Sequence, residues 1–180
     1  MSFAVPVLET ERLRLRGRTV EDFAFFQDMW ADPKVTQYIT GEPLTEEQTW
    51  SKFLRMIGHW QAMGFGYWVV EEKTSQQLVG EVGFGEFRRA IKPLLMGMPE
   101  IGWVLASNVH GKGYASEATH AAVSWGDAFF DASKMSCIIE KGHESSIKVA
   151  QKCGFSVGDE TNYQGAAVLL LYRDIQHTDS

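Results

Sequence analysis

The feature that most constrains this 180-residue chain is a glycine-containing segment at residues 110–115, His-Gly-Lys-Gly-Tyr-Ala. Its two glycines let the backbone approach a ligand closely and adopt dihedral angles that are closed to other residues. The segment follows an apolar, strand-like stretch and opens a second apolar stretch, about Tyr114 to Asp131, which is predicted to be a helix. The first turn of such a helix presents unpaired backbone N–H groups and the positive end of the helix dipole, and Lys112 adds charge nearby. The segment is therefore suited to binding pyrophosphate.

The helix prediction rests on apolar residues at steps of three and four, namely Ala118, Ala122, Trp125 and Phe129. A plain strand-to-helix turn that requires glycine explains the two glycines equally well. A Walker loop is disfavoured because Lys112 is followed by glycine, and a dinucleotide fingerprint is disfavoured because no third glycine stands in register. The sequence therefore disfavours nucleoside triphosphates and NAD as ligands.

Several segments of the chain, including the glycine-containing one, resemble one family. Residues 113–115 match the second half of the acetyl-CoA loop of the GNAT acyltransferases, whose pattern is Gln/Arg-x-x-Gly-x-Gly/Ala. Residues 111–118, with Glu-Ile-Gly-Trp at 100–103 ahead of them, resemble the branch that contains the ribosomal-protein N-terminal acetyltransferases. Residues 146–155 resemble the family's Asn-x-x-Ser-(x)5-Lys-x-Gly-Phe segment, and residues 8–16 resemble its opening strand. The resemblance covers nearly the whole chain.

The resemblance implies a single α/β domain spanning residues 1–180. Its central sheet is expected to be mixed and mostly antiparallel, with about six to seven strands, flanked by helices and splayed at the acetyl-CoA site. In that fold the pantetheine arm pairs with strand backbone as an added strand would. The residues that the resemblance assigns to acetyl-CoA are Trp103, Val104, Leu105, His110, Gly111, Lys112, Gly113, Tyr114, Ala115, His143 and Ser146.

The reaction implied by the resemblance is transfer of the acetyl group of acetyl-CoA to a primary amine, by direct attack in a ternary complex. A free aliphatic amine has a pKa near ~10, so a carboxylate that accepts its proton helps the attack at neutral pH. Glu100 is the candidate base, because it stands on the strand that leads into the glycine loop. Glu81 and Glu86 are rivals, and a solvated charge at the start of a strand is the alternative interpretation of Glu100.

Two departures from the family pattern concern the cofactor: His110 replaces Gln/Arg, and His143 replaces Asn. His143 is expected either to bind pantetheine or to lie exposed before a helix. Many GNAT enzymes supply a Tyr to protonate the leaving thiolate, but the aligned residue is Ala150. Ser146 is the candidate to hydrogen-bond the thiol sulfur. The alternative is that Ser146, with Ser145, caps the following helix.

Composition limits the partners. A formal charge of −6 and the lack of a large Lys/Arg cluster argue against nucleic-acid binding and mildly favour cationic substrates. The longest strongly apolar run, residues 166–171, is far shorter than the ~20 residues of a membrane helix, and no leader pattern is seen, so a cytoplasmic protein is expected. Cys137 and Cys153 fit no metal spacing and are predicted to be buried thiols, so no metal is expected.

Alternating patterns predict the remaining elements. The aromatic residues Trp50, Trp60, Trp68, Phe84 and Phe87 are expected to form core or to line an acceptor pocket. The predicted elements are a strand at 8–16, a helix that begins at Thr19 and ends before Pro33, a helix from Thr45 to Gly64 with an apolar stripe at Trp50, Phe53, Leu54, Ile57 and Trp60, strands at 67–70, 78–84 and 100–106, a long connection at 88–99, a strand at 135–139, a helix at 145–152, and strands at 155–158 and 167–173.

These observations favour an acetyl-CoA-dependent N-acetyltransferase, a monomer or homodimer, whose acceptor is a protein N-terminus or a small amine. Two alternatives remain open. The missing Tyr and the altered Asn allow an acyl-CoA-binding module without turnover. An acyltransferase that moves a larger acyl group is also compatible with the sequence.

Overall fold

Within residues 4–177, which the computed structural model describes, eight strands form one sheet. The strands are β1 (Leu8–Glu9), β2 (Leu13–Arg16), β3 (Tyr67–Glu72), β4 (Leu78–Gly85), β5 (Glu100–Leu105), β6 (Lys134–Glu140), β7 (Ser156–Tyr163) and β8 (Ala166–Asp174). Their order is β1-β2-β3-β4-β5-β6-β8-β7. All neighbours are antiparallel except β5 and β6, which are parallel. The expected mixed, mostly antiparallel sheet is confirmed, with eight strands where about six to seven were expected, because the single strand predicted at 8–16 is two strands.

In the described part of the chain, five α-helices flank the sheet: α1 (Phe23–Ala31), α2 (Pro33–Thr36), α3 (Glu46–Met63), α4 (Tyr114–Phe129) and α5 (Glu144–Lys152). The bounds predicted for α3 are confirmed by its caps. The N–H of Thr45 donates to Gln48 Oε1 at 2.9 Å, the N–H of Gln48 donates to Thr45 Oγ1 at 3.2 Å, and Gly64 ends the helix at φ 75°.

The two faces of the sheet bury different helices. On one face Ala118 and Ala122 of α4 are fully buried against core residues of β2 to β6. On the other face α1 and α3 bury Phe26 and Phe53 against Val69 of β3. Apolar burial on both faces is what holds the sheet between these helices.

The sheet splits between β5 and β6. These strands pair only at Glu100 and Ser136, with one further bond from the Ser136 N–H to the Pro99 carbonyl at 2.9 Å. Toward their carboxyl ends they diverge, while β5 stays paired with β4 on its other side as far as Leu105. The side of β5 that faces β6 therefore has backbone groups free of strand partners at Trp103 to Leu105, as the predicted splay requires.

The predicted strand at 8–16 is two short strands, because the Thr10 N–H bonds the Leu13 carbonyl and turns the chain. The predicted strand at 155–158 continues to Tyr163, as an edge strand whose mostly exposed, polar residues lack the apolar alternation that would reveal it.

Three residues assigned to apolar helix stripes lie at the surface. Trp50, Leu54 and Phe129 are 38%, 45% and 46% exposed, whereas Met56 of α3 is buried. The predicted stripe of α3 was thus wrong at Trp50 and Leu54, because the buried face turns toward the sheet through Phe53, Met56 and Trp60.

Candidate active site

The glycine loop adopts the conformation that its glycines permit. Gly111 and Gly113 have φ of 81° and 79°, in the left-handed region that other residues rarely occupy. Gly113 is the N-cap of α4, and neither glycine has a neighbouring heavy atom within 3.4 Å of the position a Cβ would take. The loop therefore leaves open space at the amino end of a 16-residue helix, where an anion is favoured.

The loop is anchored to the β1–β2 turn by Arg12. Its Nη1 donates to the carbonyl of Lys112 at 2.9 Å, and its guanidinium pairs with Glu117 at 2.7 Å. The Thr10 hydroxyl also donates to Glu117, at 2.7 Å. These contacts, together with a hydrogen bond from the Tyr114 hydroxyl to Glu72, hold the first turn of α4 in place. Arg12 also brings a positive charge within 3.5 Å of the Gly113 Cβ position.

Two histidines follow the two diverging strands. His110 Nε2 lies 2.9 Å from the Leu105 carbonyl, and His143 Nε2 lies 3.2 Å from Ser146 Oγ. The His143 ring also stacks on Tyr38, with ring centroids 4.6 Å apart. Burial, assisted by the charge of His110, lowers the pKa of His143, so its imidazole is neutral at pH 7.

The alternative role of Ser145 and Ser146 as helix caps is wrong. Helix α5 begins at Glu144 with His143 as its N-cap, and no side chain caps it. Ser146 instead lies in the first turn, half-buried, with its hydroxyl directed to His143. His143 is half-buried rather than exposed.

Glu100 lies at the point where β5 and β6 part. Its side chain is 9% exposed and both carboxylate oxygens accept from Arg89, at 2.8 to 3.1 Å. Arg89 comes from the long connection after β4, and its Nη1 also donates to the Tyr163 hydroxyl at 3.3 Å. Glu100 is therefore a buried, paired carboxylate and not a solvated charge.

Glu81 lies on the neighbouring strand β4 and on the same face as Val104 of β5. It is 1% exposed, and its Oε2 accepts from Arg18 at 2.7 Å. Its other oxygen, Oε1, is buried and has no hydrogen-bond partner among residues 4–177. A buried carboxylate oxygen without a partner costs free energy unless a ligand supplies a donor. Of the two carboxylates, Glu81 is therefore the one with an oxygen free to accept a hydrogen bond.

A cavity of about 730 Å³ connects these groups. Its lining includes Glu81 and Glu100 together with the predicted cofactor residues Trp103, Val104, His143 and Ser146. Leu105 and residues 110–115 are not part of this lining. The structure thus brings the candidate acid–base groups and part of the cofactor set into one cavity, with the glycine loop beyond the end of β5.

Tyr67 of β3 also lines the cavity. A Cβ at Gly102 would collide with its hydroxyl, so the glycine at 102 makes room for this ring. Burial and the nearby carboxylates Glu100 and Glu81 raise the pKa of Tyr67, so its phenol stays protonated. Of the aromatic residues proposed for the acceptor pocket, Phe87 lines the cavity, whereas Trp60, Trp68 and Phe84 belong to the core.

Several lining or supporting residues were missed by sequence reasoning: Arg12, Arg18, Trp30, Tyr38, Lys52, Arg55, Tyr67 and Arg89. No sequence pattern marks these residues as functional, because each is a residue type that is common on the surface or in the core of its own helix, strand or loop. Only Arg89 lies in the long connection predicted at 88–99, and connections of that length often carry binding residues.

Residues 12–156 match the acetyltransferase (GNAT) domain family, which is 145 of the 180 positions. The chain belongs to the GNAT acetyltransferase family. A curated relative, the uncharacterized N-acetyltransferase p20 of Bacillus licheniformis, is 29% identical over 149 residues, 82% of this chain and 81% of its own length. The family match makes acetyl transfer the expected chemistry of this GNAT protein.

Solved structures share the fold of this GNAT chain. A GNAT-family protein from Bordetella pertussis is 29% identical, with a TM-score of 0.82 over 93% of this chain and 99% of its own. RimL, a ribosomal L7/L12 α-N-protein acetyltransferase in complex with coenzyme A, is 17% identical, with a TM-score of 0.77 over 96% of this chain and 100% of its own.

Two further findings concern the described part of the chain. Among residues 4–177, no three or more His, Cys, Asp and Glu side chains gather where they would hold a metal ion. No helix in the same range is long and apolar enough to cross a membrane.

Proposed function

We propose that this GNAT protein transfers the acetyl group of acetyl-CoA to a primary amine, either a protein N-terminal α-amine or a small amine, by direct attack in a ternary complex. The observation that carries the proposal is the split between β5 and β6, which opens into the cavity that contains Glu81 and Glu100. An amine and a thioester can meet there without a covalent enzyme intermediate. The RimL likeness supports a protein N-terminus as one acceptor class.

The residues fit the CoA moiety. Backbone groups of Trp103 to Leu105 that lack a strand partner are proposed to pair with the pantetheine arm, and residues 110–115 are proposed to bind its pyrophosphate. When bound, acetyl-CoA supplies an activated acyl group and a thiolate leaving group. Ser146, whose Oγ lies 3.2 Å from His143 Nε2, is proposed to hydrogen-bond that sulfur.

The amine must lose a proton for the reaction to proceed. The free Oε1 of Glu81 is the group best placed to accept a hydrogen bond from it, because both oxygens of Glu100 are held by Arg89. We propose Glu81 as the base, acting directly or through water. Glu100 as the base stays a prediction, and its pairing with Arg89 makes that role less favourable.

The test is thiol release from acetyl-CoA with a panel of small amines and short N-terminal peptides, alongside calorimetric titration with CoA. Release with one acceptor class supports the enzyme and identifies that class. Better turnover with a longer acyl-CoA would assign a larger acyl group. Tight CoA binding with no release from any acceptor would favour the non-catalytic binding module, which the buried Ala150 at the family's Tyr position allows. Absence of CoA binding would contradict the proposal.

A further inference from the structure

Two of the cations that line the cavity have no ion-pair partner among residues 4–177. Arg89 is neutralised by Glu100 and Glu81 is neutralised by Arg18, at 2.8 and 2.7 Å. The charged lining residues left after these pairs are Lys52, Arg55 and Glu140. No ion pair within residues 4–177 involves any of these three. The side of the cavity formed by α3 thus carries two cations without an ion-pair partner, although the chain has a net charge of −6.

The two unpaired cations lie together. Lys52 and Arg55 stand three residues apart on α3, and therefore on one face of the helix. The Lys52 ammonium lies 4.6 Å from the centroid of the Trp30 ring, which also lines the cavity. Lys52 is half-buried and Arg55 is exposed at the rim. This arrangement presents one half-buried and one exposed cation to whatever enters the cavity.

Lys52 is poorly compensated inside the protein. Burial lowers the pKa of its ammonium, Glu81 opposes this, and the charges of Arg55, Arg18 and Arg89 add to the lowering. Glu140, the third unpaired charge of the lining, stands at the end of β6, on a different element from these two cations. A bound anion would stabilise the charged form of Lys52.

We propose that the acceptor amine carries an anionic group, a carboxylate or phosphate, that is bound by Lys52 and Arg55. The proposal rests on the proposed function and narrows its substrate class. An amine held near Glu81 and an anion held by α3 would bind a zwitterionic acceptor at two points. The net charge of the chain by itself favours cationic acceptors such as polyamines. The cations Lys52 and Arg55 in the lining disfavour them by repulsion. The anion has two possible sources, a small amino acid or an acidic side chain near a peptide N-terminus.

The first test compares acceptors of matched size with and without a negative charge. The pairs are β-alanine against β-alaninamide and the peptide Ser-Glu-Ala-Ala-amide against Ser-Gln-Ala-Ala-amide, and spermidine is the cationic acceptor. The wild type is expected to have the higher kcat/KM for the anionic member of at least one pair. The preferred pair identifies the source of the anion. Equal use of both members in both pairs, or preference for spermidine, would overturn the proposal.

The second test uses Lys52→Met and Arg55→Met, with Lys134→Met as a matched control on β6 outside the cavity lining. Each cavity variant is expected to raise KM for the anionic acceptor roughly 10-fold, with kcat and the neutral acceptor little changed. Lys52→Arg should retain the preference, and Lys134→Met should change neither acceptor. Equal effects of Lys52→Met on both members of the pair would show a structural role only.

The anion site can be tested separately if the protein proves not to be an acetyltransferase. If the wild type binds CoA but acetylates no acceptor, calorimetry with N-acetyl-β-alanine and N-acetyl-β-alaninamide in the presence of CoA tests the anion site alone. Tighter binding of the carboxylate, lost in Lys52→Met, would support the site without turnover. Equal binding of the two compounds would overturn it.

Discussion

The two buried carboxylates of the cavity, Glu81 and Glu100, differ in how many of their oxygens are occupied by an arginine. Glu81 and Glu100 are both buried carboxylates, yet Arg89 occupies both oxygens of Glu100 while Arg18 occupies one oxygen of Glu81. Burying an ion pair is expensive unless the geometry is good and the remaining lone pairs are satisfied. The unsatisfied oxygen of Glu81 therefore indicates a position where a ligand donor completes the site.

Glu81→Gln is expected to lower kcat roughly 10²- to 10⁴-fold, because it removes the proton acceptor. It also leaves the Arg18 charge buried without its partner, which costs about 3–5 kcal/mol of stability. The double variant Arg18→Met/Glu81→Gln should regain stability but not turnover. Steady-state kinetics and urea unfolding separate the two effects. Turnover of the double variant near the wild-type value would contradict the role of Glu81.

His143 is expected to make stability depend on pH. Burial lowers its pKa below the ordinary value of 6.5, so the unfolded chain binds the proton more readily than the folded one. The contribution of His143 is complete above pH 6.5 and is lost as the pH falls below it. Urea unfolding from pH 7.5 to 5 should show a smaller loss in His143→Asn than in the wild type. An identical loss in both proteins would contradict this assignment.

Among the elements, the loop and helix α4 form one unit with the β1–β2 turn. Glu117 in the first turn of α4 accepts from Thr10 and Arg12, which also bonds the Lys112 carbonyl. The sequence pattern predicted the helix and the loop because glycine and apolar periodicity are local signals. The anchoring contacts join residues about a hundred positions apart, so no local pattern reveals them.

Gly113→Val is expected to weaken CoA binding, because a branched residue at φ 79° is strained and its side chain enters the proposed phosphate site. The variant loop is expected to relax from this conformation in the free protein, and restoring it on binding at a cost of about 1–2 kcal/mol corresponds to a roughly 5- to 30-fold rise in Kd. Gly97 is the matched control, since it has φ 77° and open space around its Cβ position but lies in the connection before β5. Calorimetry should give a raised Kd for Gly113→Val and an unchanged Kd for Gly97→Val. Unchanged affinity in a folded Gly113→Val variant would remove the loop from the cofactor site.

For the molecule as a whole, the core is continuous from β2 to β8 on the α4 side of the sheet, and both cysteines belong to it. The prediction of buried thiols is confirmed, since Cys137 and Cys153 are free and buried. Burial raises the pKa of Cys153 to about 11 and also raises that of Cys137. The thiolate is the reactive form, so burial makes both cysteines inert at neutral pH.

The native protein is therefore expected to resist iodoacetamide at pH 8, and both cysteines should be alkylated in urea. Mass spectrometry of the intact chain counts the modified thiols under each condition. Rapid alkylation of either cysteine in the folded protein would show that its surroundings open on the time scale of the reaction.

The sequence by itself determined the family, the order of the elements and the position of the glycine loop, because caps, glycines and apolar periodicity act over a few residues. It also predicted roles for Glu100, Ser146 and His143, a single domain and a cytoplasmic location. These stay predictions. Only the tertiary structure decided which carboxylate oxygen is free and which cations are left unpaired. The physical reason is that these are contacts between different elements. The ion pair of Arg18 with Glu81 and the contact of the Lys52 ammonium with the Trp30 ring form only when the fold brings those elements together.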